Sequence, residues 1–180
     1  LDQSINLGNF SYFFTLLCLL LFINAFNMFD GINGQAAIYS LVMFILLITK
    51  DNFNYTYIAL TVILFLIPFI YFNLKNRIFL GNSGSLVISF ILSVILIKSY
   101  QSKNIFFADE IFIYLMIPGF DLLRLCIVRI VKKKHPFKGD RRHLHHLLLN
   151  LFSEAKVIFI IFLLYFFPIV LLFIFQNNLI

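Results

Sequence analysis

Charge is scarce in this 180-residue chain: Asp, Glu, Lys and Arg make up 12% of it, against about 25% in an ordinary globular domain. Apolar residues reach 62%, Phe occurs 25 times and the mean hydropathy is +0.98. A soluble core of this size does not need so much apolar surface, whereas a bilayer does. Cysteine is nearly absent, and Cys18 and Cys126 fall in different apolar stretches, as packing residues would. Also missing are internal repeats, low-complexity tracts, a soluble second domain and any nucleic-acid-binding module. The net charge of +6 lies beside apolar stretches, so it points to anionic headgroups and phosphates, not to nucleic acid. The first ten residues hold no signal peptide and begin with Leu, so the chain reads as the C-terminal part of something longer.

What is present is a series of membrane spans. Stretches 10–26, 55–71, 111–131 and 157–175 qualify directly; 36–49 and 86–97 qualify only with flanking polar residues included. The expectation is an all-α, polytopic integral membrane protein with about six transmembrane helices, forming a single transmembrane domain over 1–180. Of the 14 basic residues, only Lys50, Lys98 and Lys103 fall in one set of loops; the others lie in or beside the loops after the third and fifth helices. The positive-inside rule puts those two loops in the cytoplasm and the N-terminus outside.

Three polar islands interrupt the apolar background. In the first, Asn24, Asn27, Asp30 and Asn33 recur every third residue, a spacing that on a helix converges carboxamides and a carboxylate near one face. Gly31 and Gly34 follow, suited to a tight turn; a helix C-cap with a polar tail accounts for one Asn and one Gly but not for four polar residues in register. The second island, 73–85, centres on Phe79-Leu80-Gly81-Asn82-Ser83-Gly84-Ser85, with Lys75 and Arg77 nearby. It reads equally as an anion site at a helix start or as an ordinary N-cap on Asn82 or Ser83. The third runs from Pro118 to His146. Pro118-Gly119 should break or kink the fifth helix. Asp121 and Arg124, at i and i+3 inside an apolar helix, are costly there unless functional or paired. Lys132 to Lys134 suit topology determinants or phospholipid contacts. Asp140-Arg141-Arg142-His143-Leu144-His145-His146 suits phosphate binding better than zinc, because no Cys or nearby carboxylate pattern completes a metal set. Alternation of spans places all three islands on the cytoplasmic side, which suggests one composite site.

In order and spacing these islands resemble the polyprenyl-phosphate N-acetylhexosamine-1-phosphate transferases. The first resembles their Asn-x-x-Asn-x-x-Asp-Gly-x-Asp-Gly motif, the second their Phe-Leu-Gly-Asp-x-Gly-Ser motif. Pro118, Asp121 and Arg129 resemble a Pro-x-x-Asp…Arg segment, and Asp140, Arg141 and His143 to His146 a histidine box. Pro136-Phe137 before Asp140 favours the N-acetylglucosamine-type branch. The resemblance implies transfer of N-acetylhexosamine-1-phosphate from a UDP-sugar to undecaprenyl or another polyprenyl phosphate, with release of UMP, in cell-envelope glycan synthesis. It further implies a multi-pass protein of the bacterial inner membrane, in contact with membrane lipid and compatible with a homodimer. It implies Asp30, Asn33 and Asn82 as catalytic residues and Mg²⁺ (or Mn²⁺) as cofactor, with oxygens from Asn27, Asp30 and Asn82. Substrate binding falls to Asn24, Asn27, Ser83, Asp121, Arg129, Asp140, Arg142, His143, His145 and His146.

Three departures accompany the resemblance. The family's early Asp-Asp motif has no counterpart here, Asp109-Glu110 being the only adjacent acidic pair and on the outer side. Asn82 and Asn33 stand where the family has Asp, and Asn82 removes a formal negative charge from the metal site while keeping an amide oxygen. Two other readings therefore stand beside the transferase: a non-catalytic homologue that binds lipid phosphate or UDP-sugar, and an unrelated transporter, for which Asp121 and Arg124 are nearly the only mid-bilayer charges.

Overall fold

The computed structural model describes residues 7–50, 55–101, 106–133 and 143–177, and among these every regular element is a helix. The order is α1 (Phe10–Phe29), α2 (Gln35–Lys50), α3 (Thr56–Leu74), α4 (Gly81–Gln101), α5 (Ala108–Val131), α6 (Leu144–Leu149) and α7 (Glu154–Asn177). Five of them, α1, α3, α4, α5 and α7, are long and apolar enough to cross a membrane; α2 is apolar but has only 16 residues. The fourth stretch thus grows into a full-length helix by taking in polar residues at both ends, while the second stays short. Together they form a polytopic all-helical membrane protein.

The helices show the inverted polarity expected of a chain dissolved in lipid. Leu64 and Phe65 on α3 are 70% and 73% exposed, and apolar side chains lie all round α1, α3 and α7. Pro68, Pro118 and Pro168 sit inside α3, α5 and α7. Of the break or kink expected at Pro118-Gly119, the break does not occur: α5 runs on from Ala108 to Val131, since a spanning helix tolerates the loss of one amide when its other backbone groups stay satisfied. Cys18, expected as a packing residue, is exposed on α1, and Cys126 is half-buried.

Inside the bundle α1 packs on α4 and α5, α2 on α3, and α7 on α5 and α6. An aromatic cluster joins them: Phe26 and Phe29 meet Tyr39, which meets Tyr165 edge-on at 5.2 Å between ring centres. The Tyr39 hydroxyl donates to the Tyr114 carbonyl at 2.7 Å, tying α2 to α5. At the α2 C-terminus Lys50 pairs with the buried Glu110, whose second oxygen accepts the Phe107 N–H at 3.1 Å and so caps α5. The polar islands gather at the opposite end of α2. Replacing Glu110 by Ala strands the Lys50 ammonium and uncaps α5, and should cost about 3 kcal/mol. Thermal unfolding in detergent is the measurement, with Glu110→Gln expected to fall between the variant and the parent.

Candidate functional site

The site is built on one buried carboxylate. Asp121, nearly three turns from the end of α5, receives four donated hydrogens. His143 Nδ1 lies 2.9 Å from Oδ2, while Oδ1 accepts Arg124 Nη2 at 2.8 Å, Arg124 Nε at 3.3 Å and the Leu144 N–H at 3.0 Å. Arg124 is the partner expected for an acid buried at i, i+3 in an apolar helix, and its guanidinium binds sideways on. The other two contacts come from the chain that begins α6. His143 is the N-cap residue, and Leu144 offers a first-turn N–H that the helix cannot use itself.

Docked in this way, α6 carries the histidine box onto the end of α1. The His143 and His145 rings lie parallel, 4° apart in plane and 5.7 Å between centres, and His146 stands 4.2 Å from His145. His145 is 2% exposed and presses on Gly31, where a Cβ would fall 1.9 Å from its Cε1 and Nε2 atoms. Only glycine leaves room for that ring. Neither His145 nitrogen meets a hydrogen-bonding partner. Burial, reinforced by the neighbouring His146 and His143, pushes its pKa down to about 4, so the ring is neutral at physiological pH.

Asp30, next to Gly31, caps α1 and borders an open cleft of about 450 Å³ shared with Asn33, Asn73, Phe79, Leu80, Leu149 and Glu154. Burial pushes the Asp30 carboxyl up to about 6. Such a group gains from a cation beside it, and Asn33 lines the same cleft, so Asp30 and Asn33 offer oxygen donors of the kind a hard divalent ion takes, although the described residues gather no group of three or more His, Cys, Asp or Glu. Across the bundle, Ser85 Oγ lies 2.6 Å from Asn27 Oδ1 and 3.1 Å from the Asn82 carbonyl, linking α1 to the start of α4. A second groove of about 570 Å³ runs along α5, lined by Ile117, Phe120, Leu123, Ile127 and Val128, with Asp121, Arg124 and Leu144 also on its wall.

The expected site residues separate into groups. Asp30 and Asn33 share the cleft; Asp121 and His143 are bonded together; His145 stacks on His143 beside Gly31, and His146 lies tilted against His145. Arg129 is buried in the last turn of α5. Asn24 is exposed and turns its amide back to the Leu20 carbonyl at 2.8 Å, away from the others. The expectation that four residues share a helix face is corrected: α1 ends at Phe29, which leaves Asp30 as its cap and Asn33 in the turn beyond. Nor do Asn82 and Ser83 cap α4, which starts a residue earlier at Gly81; both are exposed in its first turn, outside the Asp30 cleft. Asp140, Arg141 and Arg142 lie outside the described residues. Sequence reasoning missed α6, the seat on Gly31 and Asn73. The one available signal was His-x-His spacing, which sets alternate rings to opposite tasks at a helix start.

Two outcomes test this geometry. Gly31→Ala should cost about 1–3 kcal/mol by overpacking, and His145→Ala in the same chain should recover part of it, a coupling read from a thermal double-mutant cycle. The second outcome is pH dependence. Between the ordinary His value of 6.5 and about 4 the unfolded chain binds a proton that folded His145 refuses, so stability falls as pH drops through that window. Asp30, raised from 3.8 to about 6, acts oppositely and loses its contribution as pH rises through its own window. Melting curves of His145→Gln and Asp30→Asn from about pH 3 to about pH 7, which spans both windows, should each remove one slope.

The sequence pattern of glycosyl transferase family 4 matches residues 1–100. The undecaprenyl-phosphate alpha-N-acetylglucosaminyl 1-phosphate transferase of Escherichia coli (strain K12) is 30% identical over 165 residues, which are 86% of this chain and 45% of the relative. The Yersinia pestis protein of the same name is 31% identical over 165 residues, with the same 86% and 45% coverage. The probable undecaprenyl-phosphate N-acetylglucosaminyl 1-phosphate transferase of Bacillus subtilis (strain 168) is 29% identical over 155 residues, 83% of this chain and 43% of the relative. The chain thus spans less than half the length of these relatives. With its polar islands gathered at one end of a helical membrane bundle, and a family pattern that covers more than half its length, the chain belongs to glycosyl transferase family 4.

Proposed function

We propose that this chain carries the phosphate-handling part of an enzyme that transfers N-acetylhexosamine-1-phosphate from a UDP-sugar to undecaprenyl phosphate, at the cytoplasmic face of a bacterial plasma membrane. The supporting observation is His145: a buried imidazole with two nitrogens unpartnered among the described residues, wedged over Gly31, the residue that follows Asp30 in the chain. Leaving such nitrogens unsatisfied costs about 1–3 kcal/mol, a cost that donor phosphate or sugar oxygens offset.

In the reaction an oxygen of the lipid phosphate attacks the phosphorus that bears the sugar. A new P–O bond forms, the bond to the uridine-bearing phosphate breaks, and UMP leaves with that electron pair. Both partners are anionic, so the protein must gather positive charge and exclude water. Mg²⁺, when bound, neutralises pyrophosphate charge, with Asp30 and an Asn33 oxygen as the residues to hold it. The α5 groove suits the acceptor: its walls are mostly apolar, as a prenyl chain needs, and Arg124 is among the residues that line it. Asp121 binds both Arg124 and the start of α6, which speaks against the transporter reading. A non-catalytic homologue that binds the same ligands is the second reading, and Asn82 is the observation that favours it.

The test uses the full-length gene product in detergent with Mg²⁺, undecaprenyl phosphate and radiolabelled UDP-N-acetylglucosamine, counting label in the lipid phase. Transfer is expected, and Asp30→Asn should lower it at least about 100-fold and abolish Mg²⁺ dependence. Transfer only after Asn82→Asp would favour the non-catalytic reading, and unchanged turnover in Asp30→Asn would remove Asp30 from the metal assignment.

A further inference from the structure

The cleft over Asp30 has two lips, the turn after α1 and the turn after α3, and side-chain amides join them. Asn73 sits in the last turn of α3 and is 4% exposed. Its Oδ1 accepts the Gly34 N–H at 2.6 Å, and its Nδ2 donates to the Ile78 carbonyl at 2.8 Å and to Asn33 Oδ1 at 3.3 Å. Asn33 in turn donates through Nδ2 to Asn76 Oδ1. Both amide hydrogens of Asn73 are therefore committed, one to each lip.

The backbone on each side is shaped for this junction. Asn76 has φ 58, a left-handed conformation that Asn tolerates better than other side-chain-bearing residues. Its N–H bonds the Asn73 carbonyl at 2.9 Å and the Arg77 N–H bonds the Phe72 carbonyl at 3.0 Å, which closes α3 with a Schellman motif. Gly34 has φ 85, and a Cβ there would fall 2.6 Å from Leu74 Cδ2. Each turn is thus fixed by its own backbone, and the three amides lock one fixed turn to the other.

We propose that Asn33, Asn73 and Asn76 form a carboxamide latch that holds the two lips as one rigid body, with Asn73 as a positioning residue for Asp30. An amide suits position 33 because it accepts from Asn73 and donates to Asn76 at the same time, which a carboxylate cannot do. The latch concerns the same cleft as the transferase reading and rests on it only for its kinetic consequence.

The experiment has a structural arm and a kinetic arm, both on the full-length protein in lipid nanodiscs. In a background with Cys18 and Cys126 replaced by Ser, Asn33→Cys with Asn76→Cys should be bridged by dibromobimane, whose fluorescence requires both thiols to react. Adding Asn73→Ala should cut the bridging rate about fivefold or more, because no amide then holds the lips together. In the kinetic arm, Asn73→Ala should lower kcat about tenfold with the UDP-sugar KM nearly unchanged. Asn76→Gly keeps the left-handed turn, loses only the outer link and should show a smaller drop in kcat, which covers the case in which Asn73→Ala does not fold. Bridging that is indifferent to Asn73 would overturn the latch. A raised KM at intact kcat would make Asn73 a substrate contact and overturn its positioning role. If the parent transfers no sugar phosphate, the transferase reading fails while the bridging arm still decides the latch.

Discussion

Everything at the polar end of this bundle depends on keeping the Asp121 carboxylate out of lipid without leaving it unpaired. An isolated charge in that position would be expensive, and the chain satisfies it from two directions. Arg124 comes from the same helix; His143 and the Leu144 amide come from a segment more than twenty residues later. One local and two distant partners turn a membrane liability into the joint that docks α6. From that joint the sequence of contacts is continuous: His143 lies on His145, His145 on Gly31, and Gly31 follows the Asp30 that borders the cleft.

The two ends of the bundle solve the same problem differently. At the far end, Glu110 and Lys50 satisfy each other and Glu110 also caps α5, so charge there is spent on architecture. At the polar end the buried groups are not all satisfied, and His145 keeps both nitrogens unpartnered. Native proteins keep few such groups, and where they do a functional explanation is called for.

Much of this was legible in the sequence, for identifiable reasons. Apolar runs separated by polar islands located the spans, because a bilayer sets their length, and charge asymmetry grouped the islands on one side. The i, i+3 spacing of Asp121 and Arg124 announced a pair. What stayed hidden depends on partners distant in sequence. The Asn33–Asn76 bond spans 43 residues, and the Gly31–His145 contact has no local trace. Reading Asn24 to Asn33 as one helical face went wrong at a single point: the helix stops at Phe29, and period-3 spacing carries no information past its end. Likewise neither Asn82 nor Ser83 caps α4, because Gly81 already begins the helix and places both inside its first turn.

The shortness of α2 has an effect on the bilayer itself. Sixteen residues rise about 24 Å, while the hydrocarbon layer is about 30 Å thick. Its C-terminus is fastened by Lys50 to Glu110 at one surface, so the shortfall falls on the other, where Gln35 and Gly34 begin the helix beside the Asp30 cleft. Mismatch of this kind draws headgroups and water inward around the short element. On the proposed transferase reading, a thinner layer at that end would let a water-borne donor and a lipid-borne phosphate meet without either crossing hydrocarbon.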